Sequence, residues 1–207
     1  IASRLTHLGV DTLTVDSHPR IGDNWRKRYH SLTLHNEVHV NHLPYMPFPP
    51  TWPVYIPKDM LANWFEIYVE ALELNYWAGT SLTSGSYDDA AGCWDVTLTF
   101  EDGSTRQIKP RHIVMGTGVS AIPIMPELPG MNEFKGTVLH SGEYTEGHEW
   151  SGKKALVVGT GNSAHDVAQD LHACGADVTM IQRSSTHVVS LAEAQRVYTI
   201  YAEGPSV

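Results

Sequence analysis

In the last third of the chain, two short apolar runs are separated by a segment whose apolar positions recur at helical spacing. Residues 155–158 are apolar and residues 178–181 are mostly apolar, and both runs are bounded by polar or glycine residues, which is typical of buried parallel strands. Between them, the apolar positions of 167–171 recur at helical spacing, and Gly175 ends the segment. This order of strand, helix and strand predicts a βαβ unit.

Earlier segments predict a mixture of helix and antiparallel strand. Residues 58–76 carry large apolar side chains at helical spacing, which predicts an amphipathic helix whose aromatic stripe packs into a core. Residues 92–109 alternate apolar and polar positions around a turn at 101–103, which predicts a β-hairpin or a β-meander. We expect two further strands, at 11–16 and 112–115.

An internal repeat links the two ends of the chain. Residues 5–11 repeat the pattern of 171–177, and an apolar strand follows each copy at the same interval. Asp16 therefore occupies the place of the acid that binds the ribose of a dinucleotide, although an exposed strand-end carboxylate is the alternative. Because the glycine loop of this first copy is absent, we expect the chain to be a fragment that starts in the first helix of an FAD-type domain.

The second copy contains the spacing G-x-G-x-x-A between its strand and its helix. Gly159 and Gly161 permit a tight turn and the close approach of a pyrophosphate, while Ala164 lets the helix pack close to the strand. Asn162 and Ser163 are expected to cap the helix whose N-terminus faces the phosphates. The alternative is a structural turn whose glycines serve only packing.

The residues after the second strand indicate which nicotinamide cofactor binds. Gln182 replaces the acid expected for NAD, and Arg183 and Ser184 follow it. A cation and hydroxyl groups suit a 2′-phosphate, so we predict NADPH. The whole pattern predicts an α/β fold of two Rossmann-like dinucleotide-binding lobes, both incomplete: an FAD-binding lobe over 1–148 and an NADPH-binding lobe over 149–207.

Composition argues against several classes of function. The 207 residues have a net charge of −9 and no basic run, which argues against nucleic acid and anionic membranes as partners. No apolar segment approaches membrane-spanning length and no signal peptide is visible, so we expect a cytoplasmic protein without a membrane span. The oligomeric state stays open.

Neither the cysteines nor the histidines form a recognisable centre. Cys93 and Cys174 are far apart with no CxxC, which argues against a disulfide framework or a thiol redox centre. His35, His39 and His42 lie close in sequence, but prolines interrupt the region and HExxH is absent. Solvated or hydrogen-bonded histidines are therefore favoured, and we predict no metal.

Four motifs, in order, resemble those of class B flavin-dependent monooxygenases. Residues 134–144 match the FxGxxxHxxx(aromatic) signature, and 22–26 resemble the family's G-x-W-R segment. Residues 115–126 resemble its ATGxxxxPxxP linker motif, and 159–164 its NADPH loop. Tyr144 replaces the Trp usual in Baeyer–Villiger enzymes, which favours the heteroatom-oxidising, YUCCA-like side of the family.

The resemblance implies an enzyme that uses FAD and NADPH with O₂ and a small organic substrate. NADPH reduces FAD, and a C4a-hydroperoxyflavin then gives one oxygen atom to the substrate, as in N- or S-oxidation. Asn36 resembles an asparagine near the flavin and is the one catalytic residue implied; a local Asx turn is the alternative. The cofactor contacts expected from the motifs and the resemblance are Asp16, Gly22, Trp25, Arg26, Gly116, Gly118, Gly159, Gly161, Asn162, Ser163, Ala164, Arg183 and Ser184.

Two other functions stay open. A pyridine-nucleotide disulfide oxidoreductase shares the paired architecture, but it needs a redox-active cysteine pair. A non-catalytic nucleotide-binding module needs only the binding motifs that this chain retains. Under the monooxygenase interpretation, we expect the parent protein to be the active enzyme and the fragment alone to be inactive.

Overall fold

A computed structural model describes residues 1–118 and 122–196. The α-helices are α1 (Ala2–His7), α2 (Asp23–Arg26), α3 (Lys58–Ala71), α4 (Asn162–Ala173) and α5 (Leu191–Gln195). The strands are β1 (Thr14–Val15), β2 (Thr33–Glu37), β3 (Tyr55–Pro57), β4 (Tyr76–Trp77), β5 (Thr80–Asp88), β6 (Cys93–Phe100), β7 (Thr105–Ile108), β8 (Lys154–Val158) and β9 (Asp177–Ile181). Short 3-10 helices cover Val38–Val40, Met131–Glu133 and Gly147–Trp150.

The chain divides into two compact units that interleave along the sequence. The described part of the first unit comprises Ile1–Lys27, Leu43–Pro47 and 59–118, and that of the second comprises Arg28–His42, Phe48–Lys58 and 122–196. This division differs from the single boundary after residue 148 that we expected from the sequence. Which cofactor each part binds stays a prediction.

The first unit is built on a three-stranded antiparallel sheet and a short parallel pair. β6 is the central strand between β5 and β7, and its Val96 and Leu98 are each 1% exposed. The hairpin of β6 and β7 is confirmed, with Gly103 in its turn at φ 81°. β5 was missed because its sequence, TSLTSGSYD, is mostly polar and lacks the alternation that indicates a half-buried strand.

Helix α3 packs into the core of the first unit through one apolar face. Leu61, Trp64 and Tyr68 are buried, as the helical spacing predicted. The Tyr68 hydroxyl lies 2.8 Å from Ser3 Oγ and 2.9 Å from the carbonyl oxygen of Pro44. The predicted end of this helix at residue 76 was wrong.

The errors in predicted boundaries have local physical causes. α3 ends at Ala71 because Glu73 adopts a left-handed φ of 50°, and Tyr76–Trp77 pairs with Thr14–Val15 as β4 with β1. Residues 112–115 form no strand, and Val114 and Met115 are 57% and 73% exposed. Within the ranges described, no strand offers their backbone the hydrogen-bonding partner that an extended segment requires.

The second unit contains the predicted βαβ unit. β8 and β9 pair in parallel from Lys154 with Asp177 to Val158 with Ile181, and α4 connects them. Its core cluster comprises Tyr29, Tyr144, Val167, Leu171 and Ala176. β1 and β9 belong to different sheets, as expected for two separate nucleotide folds. The α/β class is confirmed.

Two properties of the described ranges concern possible partners. None of the helices there is both long and apolar enough to cross a membrane. No group of three or more His, Cys, Asp or Glu residues there has the arrangement needed to hold a metal ion.

Candidate dinucleotide site

The turn between β8 and α4 presents bare backbone to open space. Gly159 has a φ of 124°, which favours glycine, and Gly161 has an ordinary φ of −79° as the N-cap of α4. A Cβ atom added at either glycine would meet no heavy atom within 4 Å. Packing therefore gives no reason for glycine at 161, whereas the close approach of a phosphate does.

The prediction that Asn162 and Ser163 cap α4 was wrong. Gly161 is the N-cap residue, and no side chain accepts a hydrogen bond there. Asn162 and Ser163 are instead the first two helical residues, and the Gly161 carbonyl accepts from the amides of Ala164 and His165. A helix start without a side-chain cap leaves N–H groups for an anion, and the helix dipole favours negative charge there.

Two buried polar atoms at the turn and the start of α4 have no hydrogen-bond partner among the described residues. Thr160 Oγ1 and His165 Nε2 are shielded from solvent and make no hydrogen bond in the described chain. Because an unpaired buried polar atom is unfavourable, both atoms fit a site completed by a polar ligand such as a dinucleotide. We did not single out either residue from the sequence, although both lie in or directly after the glycine motif.

The end of β9 lies beside the glycine turn. The Gly159 amide donates to the carbonyl oxygen of Ile181 at 2.9 Å, which joins the turn to the strand end. Arg183 and Ser184 follow immediately and are exposed, and Arg183 forms no ion pair with any group in the described ranges. The structure thus brings the predicted diphosphate turn and the predicted 2′-phosphate residues to the same edge of the sheet.

Two tyrosines hold α4 from its side. The Tyr29 hydroxyl donates to Asp166 Oδ2 at 2.7 Å, and the Tyr144 hydroxyl donates to Asp170 Oδ2 at 2.6 Å. Burial is the largest cause that raises the pKa of both phenols well above the usual 10.0. The hydrogen bond to the neighbouring carboxylate raises it further. Both tyrosines therefore remain protonated donors at neutral pH.

Asp16 lies directly after β1, where the repeat predicted it. Its Oδ1 atom accepts from the amide and from Nδ1 of His18, both at 2.8 Å, and its side chain is 35% exposed. Burial raises the pKa of Tyr76, and the charge of Asp16 and a hydrogen bond to it raise that pKa further. Asp23, in the neighbouring G-x-W-R segment, adds to this shift, so Asp16 and that segment share one electrostatic environment.

Gly22 is required by packing inside the first unit. It has a φ of 86° as the N-cap of α2, and a Cβ there would lie 2.5 Å from the carbonyl oxygen of Ala62. Trp25 is half-buried in the same short helix. The structure therefore gives Gly22 a role in seating α2 on α3, whatever its relation to a cofactor.

The Arg26 guanidinium is engaged by protein groups. Its Nη1 donates to the Ile21 carbonyl at 2.6 Å, and its Nη2 donates to Asn63 Oδ1 at 3.0 Å and to Glu66 Oε2 at 2.8 Å. The side chain is only 16% exposed. Arg20 also hydrogen bonds to Glu66, and this bond is the largest cause that lowers the pKa of the Glu66 carboxyl.

The remaining predicted residues lie in irregular or strand segments. Gly116 and Gly118 are exposed in a segment without regular structure, and a Cβ at either would meet nothing within 4 Å. Gly118 has a φ of 76°. Asn36 is half-buried in β2, and its carbonyl accepts from Asn41 Nδ2 at 3.2 Å. Roles for these residues at a cofactor stay predictions.

Comparison with known families decides the assignment. The family model described as flavin-binding monooxygenase-like matches residues 21–199. The chain belongs to this family. Its relatives include the indole-3-pyruvate monooxygenase YUCCA1 of Oryza sativa subsp. japonica, which is 35% identical over 189 residues that represent 91% of this chain and 46% of that protein. This family member thus spans about half the length of the curated relatives it matches.

Solved structures show the fold that this family member shares. The bacillithiol disulfide reductase Bdr of Bacillus cereus superposes with a TM-score of 0.80 at 20% identity, over 98% of this chain and 61% of that one. The S-allyl-L-cysteine S-oxygenase of Allium sativum superposes with a TM-score of 0.79 at 18% identity, over 90% and 49%. At these identities the likeness concerns the fold alone.

Proposed function

We propose that the whole protein is a monooxygenase that uses NADPH and FAD to transfer one oxygen atom of O₂ to a small organic substrate. The observation that carries the proposal is the open glycine turn at 159–161, joined to the end of β9 beside Arg183, in a chain of the flavin-binding monooxygenase-like family. Cytoplasmic location stays a prediction.

For NADPH, the residues at the turn fit the group. The backbone of Gly159 and Gly161 and the N-terminal amides of α4 would hold the diphosphate, with Ala164 allowing the helix to lie close. Arg183 would pair with the 2′-phosphate through two parallel hydrogen bonds, and the Ser184 hydroxyl would add a donor. When bound, NADPH supplies the hydride and FAD supplies the reactivity toward O₂.

For FAD, the proposed contact with most support is Asp16. Its carboxylate stays 35% exposed at the end of β1, the position from which an acid binds a ribose hydroxyl. Gly22 and Arg26 would act through the seating of α2 on α3, which presents Trp25 and the turn before it. Gly116, Gly118 and Asn36 remain proposed neighbours of the cofactors.

The disulfide-oxidoreductase alternative finds no thiol centre in this chain. Cys93 and Cys174 are both free, and burial raises the pKa of the Cys174 thiol. A redox-active cysteine needs the opposite shift, toward the thiolate.

The test uses the full-length protein. We expect a flavin absorption spectrum after purification and NADPH-dependent O₂ uptake that rises with substrate. Indole-3-pyruvate, the compound in the name of the rice relative, and a small thioether would separate reaction at a 2-oxo acid from the S-oxidation predicted above. Absence of flavin, or NADPH oxidation that consumes no O₂, would contradict the proposal.

A further inference from the structure

The contacts of α4 divide into two matched pairs. Asp166 and Asp170 are four positions apart and so lie on one face of the helix, and each accepts a tyrosine hydroxyl. The two tyrosine rings belong to the same core cluster, with centroids 6.3 Å apart. Tyr29 and Tyr144 are 5% and 6% exposed, so the two phenols are nearly equivalent in burial and chemistry.

The pairs differ in where they act along the helix. Asp166, which accepts from the Tyr29 hydroxyl, lies one helical turn after Asn162, where α4 begins beside the glycine motif. Asp170 lies in the last turn, where it also accepts from the Gly147 amide at 2.8 Å. Tyr29 therefore holds the half of α4 next to the glycine turn, and Tyr144 holds the far end.

The segment that carries Tyr29 is itself fixed within the second unit. The His30 amide donates to the Thr145 carbonyl at 2.8 Å, and the Lys58 amide donates to the Leu32 carbonyl at 3.1 Å. A phenol on an anchored segment can therefore set the position of the helix residue that accepts its hydrogen bond.

We propose that Tyr29 is a positioning residue for the dinucleotide, its hydroxyl holding Asp166 so that the first turn of α4 and the glycine turn before it keep the geometry that receives the diphosphate. The inference rests on the proposed use of NADPH. Tyr29 would act through Asp166 and the helix start, without touching the nucleotide.

The experiment compares Tyr29→Phe with Tyr144→Phe in the flavin-loaded full-length protein. Each variant keeps the ring in the core and loses one hydroxyl. The readouts are the dissociation constant for NADP⁺, measured by calorimetry, and the midpoint of thermal unfolding. Because Asp170 is half-buried whereas Asp166 is exposed, we expect Tyr144→Phe to lower the unfolding midpoint more.

For nucleotide binding we expect the reverse order. Tyr29→Phe should weaken NADP⁺ binding roughly five-fold or more, within the usual range of coupling between positions, and Tyr144→Phe by less than about two-fold. Asp166→Ala should add little to Tyr29→Phe, because both remove the same connection. Should Tyr29→Phe not fold, Asp166→Asn tests the same connection from the helix side.

The outcomes separate this inference from the function it rests on. Unchanged NADP⁺ affinity in Tyr29→Phe, or equal weakening in both tyrosine variants, would overturn the positioning role and leave the cofactor assignment standing. A wild-type protein that does not bind NADP⁺ would overturn the assignment, and the positioning role with it.

Discussion

Two glycine segments of this chain were both expected from the sequence to contact a cofactor, and they differ in structure. At 22–26 a glycine precedes an arginine that is 16% exposed and held by protein oxygens, and the glycine has no room for a Cβ beside Ala62. At 159–164 the glycines face open space, and Arg183 beside them has no ion-pair partner in the described chain. The first segment is complete within the protein, and the second is open to a ligand.

This difference shows how to distinguish a structural glycine from a ligand-binding one. Gly22 is needed because its Cβ would strike backbone, whereas Gly161 has an ordinary φ and an empty neighbourhood. A glycine without a steric or conformational reason of its own indicates that something outside the chain approaches there. The same reasoning separates Arg26, which is fully engaged, from Arg183.

The largest expected effect is that of Gly22→Ala on stability. A left-handed alanine costs roughly 1–2 kcal/mol and overpacking roughly 1–3 kcal/mol, so the free energy of unfolding of the first unit should fall by about 2–5 kcal/mol. Chemical denaturation measures this loss. The matched control is Gly161→Ala, which should change stability by less than about 0.5 kcal/mol yet weaken NADP⁺ binding. Equal destabilisation by the two variants would remove the distinction between the segments.

Substitutions of the two arginines should also differ, one in nucleotide binding and the other in stability. Arg183→Ala removes charge-assisted hydrogen bonds that only NADPH can accept, so the KM for NADPH should rise about ten- to hundredfold while NADH is nearly unaffected. Arg26→Ala should instead lower stability by about 1.5–3 kcal/mol and not discriminate between the nucleotides. Steady-state flavin reduction with both nucleotides measures the effect. If NADPH and NADH weaken equally in Arg183→Ala, the arginine does not bind a 2′-phosphate.

Asp16→Ala should weaken flavin retention by tens of fold, because a charge-assisted hydrogen bond contributes about 1.5–3 kcal/mol. The ratio of flavin to protein after purification and dialysis of the full-length protein measures the loss. Asp16→Asn, which still accepts a hydrogen bond, should retain more flavin than Asp16→Ala. Unchanged flavin content in Asp16→Ala would make this residue a structural partner of His18 and Tyr76 alone.

The smallest expected effect is a dependence of stability on pH in the first unit. Arg20 and Arg26 lower the pKa of Glu66 below its ordinary value of 4.5, so the folded state binds a proton less readily than the unfolded chain. The stabilisation is therefore present above pH 4.5 and is lost as the pH falls through the lowered pKa. Unfolding midpoints of wild type and Glu66→Gln between neutral and acidic pH measure it. The same acid dependence in both would assign the loss to other groups.

Local chemistry made much of the fold predictable. The βαβ unit at 154–181, the hairpin of β6 and β7, and α3 each follow from periodicity and turn residues within a few positions. The glycine turn was predicted because its requirement for bare backbone is itself local. The N-cap was wrong because glycine and asparagine are both acceptable there, and which one takes the position depends on the path of the chain.

Other features depended on partners far away in sequence. The polar segment β5 forms a strand because β6 pairs with its backbone through hydrogen bonds. Residues 112–115 form no strand because no strand of the described chain pairs with them. Local propensity indicates the opposite outcome for both segments, so pairing decides.

By itself, the sequence determined the nucleotide-binding pattern of this chain: the glycine spacing, the cation after β9 and the acid after β1 are each read within one element. Tertiary structure decided which of these groups are already engaged. Arg26 hydrogen bonds to Glu66, 40 positions away in sequence, and Tyr29 hydrogen bonds to Asp166, 137 positions away. Hydrophobic periodicity does not predict such contacts. The physical reason is that turn and helix signals arise from neighbours along the backbone, whereas the pairing of a buried hydroxyl or guanidinium arises only when packing removes it from water.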